Sequence, residues 1–495
     1  MIKVRLKNMR KLATLVAFSA LFALNFSPPA FGSLKIGAKC SIIGQVKTLQ
    51  GNKVVCSLSG SKQVWKKFPT KSKSKSSADP MPQVIPNTVS PQNESTNPSI
   101  SEPSKIELLT YSQPTQPSAN IEMCKIKERN ENRIRWADSQ LPTGFPGFTH
   151  ATKMGTVKWA LIPLDFSDLP GESSYRSRVD GQMLSLSEWF MTVSSGKFNV
   201  EWVVHDKWVR LPGQSSDYQM DRSDNMDRVP NGIKFWTDAM TESDKVFDFT
   251  GIQTVNFILP SGQTFIRETS QGFPWDSAVR NFKTNEGSVY SYSAAGRFMD
   301  QPGRQYWSYW AHEFGHAMAL PHIGSSRDPN PFLGLDLMSS QDGESRELSG
   351  WMRFVAGWLD DDKVYCQPSS SLDRTEVSLI PISNSEVGLK MVVIPVSETK
   401  AVVIESRRET KFSCTMPSKR NGVLVYTYDA TLSHGENFLK PVTPGDRRAE
   451  GSSTCPVYPY PNPILYKGDK IVTDGLMVQV TDSLNLDKIV ISRTS

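Results

Sequence analysis

Three of the chain's six histidines fall within eleven residues, in the run Ala311-His312-Glu313-Phe314-Gly315-His316-Ala317-Met318-Ala319-Leu320-Pro321-His322. On a helix, His312 and His316 stand four residues apart and project from one face, so two imidazoles can reach one small cation. Glu313 neighbours a ligand and therefore sits beside the cation rather than on it. From there it can take a proton from an attacking water and pass it to a leaving amine. A continued helix would carry His322 away, but Pro321 disfavours α conformation at Leu320 and ends the helix, so the chain can turn and bring His322 back. Three neutral nitrogen ligands with one position left open suit Zn2+. A lone histidine would read more simply as a surface or packed residue; three in this pattern read as a metal site.

These residues need a scaffold. The apolar run Val157 to Leu164 predicts a largely buried strand, and Gly181 to Val193 carries Met183, Leu184, Leu186, Trp189, Phe190 and Val193 at helical spacing. Further strands are expected over 198–204 and 254–259 and a helix over 233–240, with mostly short strands after residue 375. The fold class is thus α/β (α+β), with a β-rich C-terminal part. A catalytic domain is expected over 123–365 and a β-rich region packed on it over 366–495.

Upstream, the composition changes twice. The chain has 495 residues, 38% hydrophobic and 21% charged, which excludes collagen, a coiled coil and wholesale disorder. Residues 1–32 read as a signal peptide: basic positions from Lys3 to Lys11, an apolar stretch from Leu12 to Phe26, then Ala30-Phe31-Gly32. That stretch is shorter than the ~20 residues needed to span a bilayer, so a secreted, extracellular protein free of the membrane after cleavage is expected. Residues 33–68 read as a small basic β module of one or two hairpins. Residues 69–122, with nine prolines between Pro69 and Pro117, read as a disordered tether. The net charge of +6 is unevenly placed: residues 1–32 carry +5 and 33–78 carry +10, leaving −9 for residues 79–495. A nucleic-acid groove in the large acidic part is not expected. The basic module, with Trp65, could adhere to an anionic cell-wall polymer, or simply be a solvated lysine-rich spacer.

The six cysteines include no C-x-x-C pair, and an even number in an exported chain points to disulfides. Cys40–Cys56 would close a loop inside one short segment and staple the module. Among the other four, Cys366–Cys414 is the first choice, leaving Cys124–Cys455, with the connectivity open.

The histidine run resembles the metzincin zinc endopeptidases, whose pattern is H-E-x-x-H-x-x-G-x-x-H followed by a methionine turn. His312, Glu313, His316 and His322 occupy the matching positions, and Asp336-Leu337-Met338-Ser339 resembles the turn, with Met338 as an apolar floor beneath the metal. Ala319 stands where the family usually has Gly; a left-handed backbone there would cost Ala roughly 1–2 kcal/mol. Three groups of segments resemble the immune inhibitor A-type family of secreted bacterial metallopeptidases: Ala160 to Asp168, Leu348-Ser349-Gly350-Trp351-Met352, and Val403 to Arg408 with Gly422 to Tyr426. The resemblance implies a zinc-dependent endopeptidase acting on protein or peptide substrates, often with calcium. Asp165, Asp168, Asp328, Asp336 and Asp342 offer hard oxygen ligands, although solvated carboxylates explain them as simply. Two other readings remain. A nucleophilic hydrolase would use Ser308 or Ser339, yet G-x-S-x-G is missing. A cell-surface adhesion protein would use the basic module, with the zinc site structural or inactive, and would have no need of Glu313.

Overall fold

The computed structural model describes residues 46–49, 52–59, 62–67, 120–128, 141–147, 151–220, 230–266, 270–272, 284–301, 305–324, 331–343, 345–413, 420–445, 447 and 461–494. The expected signal peptide, most of the tether, and Cys40, Asp328, Cys414 and Cys455 lie outside them. Within the basic module, β1 (Val46–Leu49), β2 (Asn52–Ser59) and β3 (Lys62–Lys67) form an antiparallel three-stranded sheet. Cys56 lies in β2, but its pairing with Cys40 is outside the described residues.

The next sheet carries the chemistry. Its elements in chain order are β4 (Gly155–Asp165), α1 (Arg176–Val193), β5 (Phe198–Val204), β6 (Val209–Arg210), α2 (Pro230–Asp244), β7 (Ile252–Ile258), β8 (Ser270–Gly272) and β9 (Ser291–Ala295). The spatial order is β5-β4-β7-β9-β8, with β6 beside the end of β4; every pairing is parallel except β8 with β9. Parallel strands need both faces covered, and β4 shows how the sequence meets that demand. Val157, Trp159 and Leu161 join one buried cluster with α1, while Ala160, Ile162 and Leu164 join another with α2. Helix α1 buries Val179, Met183, Leu186, Phe190 and Val193, a three-and-four spacing that makes one stripe. The elements expected over 157–164, 181–193, 198–204, 233–240 and 254–259 are therefore present, most of them longer than expected.

After α3 (Tyr306–Ala317) and α4 (Gly350–Val355) the chain turns to strands: β10 (Val364–Cys366), β11 (Thr375–Leu379), β12 (Met391–Pro395), β13 (Lys400–Arg407), β14 (Gly422–Asp429), β15 (Leu439–Pro441), β16 (Ile464–Leu465), β17 (Lys470–Thr473), β18 (Leu476–Ser483) and β19 (Asp487–Arg493). One sheet runs β10-β12-β13-β14-β15 with β16 on β14, and the other β11-β19-β18-β17. The first is buried on both faces. Met391, Val393, Val403, Leu424 and Tyr426 point into the cluster that holds α1 and α3, whereas Val392, Ile394, Val402, Ile404 and Val425 pack against the second sheet. The C-terminal strands thus complete the core beneath the histidine helix. Among the described residues no helix is long and apolar enough to cross a membrane.

The expected Cys366–Cys414 pair is corrected. Cys366 is bonded to Cys124, across a sequence separation of 242 and a Cα–Cα distance of 5.9 Å, so Cys124 is not left for Cys455. The reason is packing: a 3-10 turn at Ile121–Met123 docks beside β10, and Ile121 packs against the main core, which sets Cys124 on Cys366. Sequence separation hides such a contact. Because the bridge closes so long a loop, Cys124→Ser with Cys366→Ser should lower unfolding stability by about 2–5 kcal/mol. Denaturant melts of the variant and of the oxidised parent measure this; coincident transitions would contradict it.

Candidate metal centre

Helix α3 is buried almost throughout. Of its twelve residues, only Glu313 keeps partial solvent access. The helix is fixed to the sheet by an aromatic block: Trp159 on β4 meets Phe190, Trp202 and Phe314 edge-on, with centroids 5.8, 5.5 and 4.2 Å away. Each such pair adds about 0.5–1.5 kcal/mol beyond area burial. Gln182 on α1 caps the start of α3, its Oε1 accepting from the Trp307 amide at 2.9 Å. Glu313 shares a water-sized crevice of about 10 Å3 with Asn256 and Ser293 of the sheet.

The helix ends in a Schellman motif. The Ala319 amide bonds to the His316 carbonyl and the Leu320 amide to that of Gly315, both at 2.9 Å, with Ala319 left-handed at φ 65°. This reversal, together with Pro321, returns His322 to the helix face, as the sequence required. Its Nε2 lies 2.8 Å from His312 Nε2 and 3.0 Å from His316 Nε2. The three residues are the one cluster of three or more metal-ligating side chains found among the described residues.

The hydrogen bonds around the rings decide what the cluster can hold. His312 Nδ1 lies 2.9 Å from the Leu337 carbonyl, and His316 Nδ1 lies 2.8 Å from that of Leu320. A carbonyl only accepts, so both Nδ1 atoms carry protons, and each neutral ring turns its Nε2 lone pair to the same point. One N–H on His322 could satisfy one lone pair but not both, whereas a cation satisfies all three nitrogens. Protonating the rings is no alternative. Burial, then the neighbouring His316, pushes His312 down to about 3, and the same causes hold His322 well below the ordinary histidine value. Two rings locked by their carbonyl partners, with a third imidazole nitrogen facing the same point, fit zinc.

Met338 lies in a turn directly below. Its sulfur lies 3.0 Å from where a Cβ on Gly315 would stand, so a side chain there would press directly on it. The turn is tied to both ends of the site: Leu337 accepts from His312, and the Ile323 amide donates to the Met338 carbonyl at 3.1 Å. Asp336, fully buried, anchors it by accepting from the amides of Met338 and Ser349 at 2.7 and 2.6 Å. Asp336 is therefore structural rather than a calcium ligand. Asp165 is held by Arg210 and Asp168 by Ser215. Neither these nor Asp342 gather into a cluster, so the structure lends calcium no support. Ser308 and Ser339 both spend their hydroxyls on backbone carbonyls, of Gln305 and Asp336.

One residue escaped the sequence reading. His434, in the loop between β14 and β15, accepts the His322 amide on Nδ1 at 3.0 Å, and the next residue, Gly435, donates to the His322 carbonyl at 3.1 Å. Both backbone groups of the third ligand are thus held by a loop 112 positions away. An isolated histidine inside a turn gave no signal of this.

No family model matches this chain, and no curated protein matches it. Among solved structures, the chain is similar to wild-type OgpA from Akkermansia muciniphila, at 13% identity over 61% of this chain and 86% of that one, with a TM-score of 0.26. It is also similar to archaemetzincin from Methanopyrus kandleri, at 14% identity over 41% of this chain and 86% of that one, with a TM-score of 0.19. TM-scores that low decide nothing about chemistry.

Two variants test the geometry. Ala319→Gly relieves the left-handed strain and should raise stability by about 0.5–1 kcal/mol, seen as a higher Tm; a lower Tm would show that the turn does not constrain this position. His434→Ala, which leaves the His322 amide without its acceptor, should weaken zinc binding about tenfold in a competitive chelator titration, with the unfolding midpoint of the metal-free protein little changed.

Proposed function

We propose that this chain is an exported zinc-dependent endopeptidase of the metzincin kind, hydrolysing peptide bonds in protein or peptide substrates. The observation that carries the reading is the convergence of three neutral imidazole nitrogens beside the one partly exposed residue of the same helix, an acid. His312, His316 and His322 would hold the ion through Nε2, over the floor made by Met338. Bound there, zinc supplies Lewis acidity that polarises a scissile carbonyl and favours ionisation of water near neutral pH.

Glu313 does the proton work. A carboxylate oxygen takes the proton of the attacking water and returns it to the leaving amine nitrogen. The rest of α3 is buried, so the backbone that carries this side chain is fixed next to the ligand His312. An extended substrate would pair its backbone with an edge of the sheet, where β8 is the antiparallel end strand among the described residues. The site's acid also favours hydrolysis over a purely structural ion, which needs no base.

Glu313→Gln should retain zinc at the parental stoichiometry by elemental analysis while losing cleavage of an unfolded protein substrate by about 10²- to 10⁴-fold. Chelation should stop the parent protein, and added zinc should restore it. Undiminished turnover by Glu313→Gln, or turnover indifferent to chelator, would refute the peptidase reading.

A further inference from the structure

A separate cavity of about 550 Å3 opens between the C-terminal end of α1 and the loop preceding β12, and it shares no lining residue with the histidine cluster. Met191, Trp358 and Leu359 give it apolar walls, and Lys390 and Ser383 line its polar side. Lys390 is only 4% exposed. Among the described residues its ammonium donates to one acceptor, the backbone oxygen of Asn384. Asp360, the acid whose field acts on it, is already engaged by Lys197 at 2.6 Å, while Arg353 and Lys363 add like charge. The Ser383 hydroxyl is buried and has no hydrogen-bond partner.

A buried ammonium without a counter-charge is costly, and so is an unsatisfied hydroxyl; one anion answers both. We propose that this cavity binds a carboxylate carried on an apolar body, with Lys390 as its counter-charge and Ser383 as a second donor. The donor set limits the anion. A lysine ammonium offers three donors, of which Asn384 takes one, and the buried Arg353 is turned to Glu347 at 2.5 Å. That suits a monoanion and falls short of a phosphate dianion. Asp360 and Glu386 at the mouth disfavour further negative charge on the ligand, and Trp358 and Met191 suit an uncharged, apolar body. A free carboxylic acid and the C-terminus of a polypeptide both present this chemistry.

The test titrates the full-length protein calorimetrically with hexanoate, and with acetyl-Ala-Phe bearing either a free or an amidated C-terminus. Saturable binding of hexanoate or of the free-ended peptide, but not of its amide, is expected. Tighter binding of hexanoate would identify a free acid as the ligand, and tighter binding of the peptide a polypeptide end. Lys390→Met should weaken that binding tenfold or more, while leaving peptidase turnover unchanged. In the parent protein, the same ligand should slow trinitrobenzenesulfonate labelling of Lys390, read by peptide mass mapping; this arm decides the matter even if the variant does not fold. Failure of both carboxylates to bind, equal binding of the amide, unaltered binding by folded Lys390→Met, or undiminished labelling would each overturn the proposal. The peptidase reading is untouched by any of these results.

Discussion

Two imidazole-to-carbonyl hydrogen bonds, His312 to Leu337 and His316 to Leu320, control the chemistry of this molecule. Each fixes a tautomer, and together they aim two lone pairs at a point that a third imidazole also faces. Hydrogen bonding among the three rings cannot satisfy that arrangement. Both accepting carbonyls come from irregular backbone: one from the turn holding Met338, the other from the reversal after α3. The site is therefore only as precise as those two loops, and much of the surrounding structure secures them.

Asp336 secures the first, locking Met338 and Ser349 through both carboxylate oxygens. Behind it lies a network of buried charges. Glu347 pairs with Arg353 at 2.5 Å; Glu405 accepts from the Gly350 amide and from Tyr426, and sits 3.0 Å from Arg407. Arg407 in turn reaches the Leu335 carbonyl, at the start of the turn. Removing one member of such a pair leaves a buried charge uncompensated, typically a loss of about 3–5 kcal/mol. The network tells against treating the C-terminal strands as an appendage. They supply the acid beneath α4, the apolar face beneath α3 and, through His434, the clamp on the third ligand.

Two segments downstream of the histidine run, Leu348 to Met352 and Val403 to Arg407, support the site from behind. Leu348 to Met352 carries the backbone that Asp336 and Glu405 bind, and a side chain at Gly350 would come within 2.7 Å of Glu405 Oε2. Val403 to Arg407 sets the buried Val403 and Ile404 just before Glu405 and Arg407, the charges that hold the turn. These residues build the support of the site and none of its ligands, which is why each looked unremarkable beside the histidines.

What could be read in the chain alone was local. His312 and His316 share a face because a helix repeats every 3.6 residues, Glu313 follows from its adjacency, and the break before Pro321 follows from backbone sterics. Even the strain at Ala319 was legible, since the left-handed region penalises any Cβ. In the sheet that carries the histidine helix, β4, β5, β7, α1 and α2 showed through their apolar periodicities for the same reason, whereas the short β6, β8 and β9 did not. Whatever depended on distant segments meeting was settled only by the tertiary structure: Cys124 with Cys366 rather than Cys414, the carbonyl partners of the ligand rings, the burial of Asp336, and His434 over His322. Backbone carbonyls leave no mark on sequence, and a contact across a hundred residues or more is decided by how whole layers pack, not by the residues that finally touch.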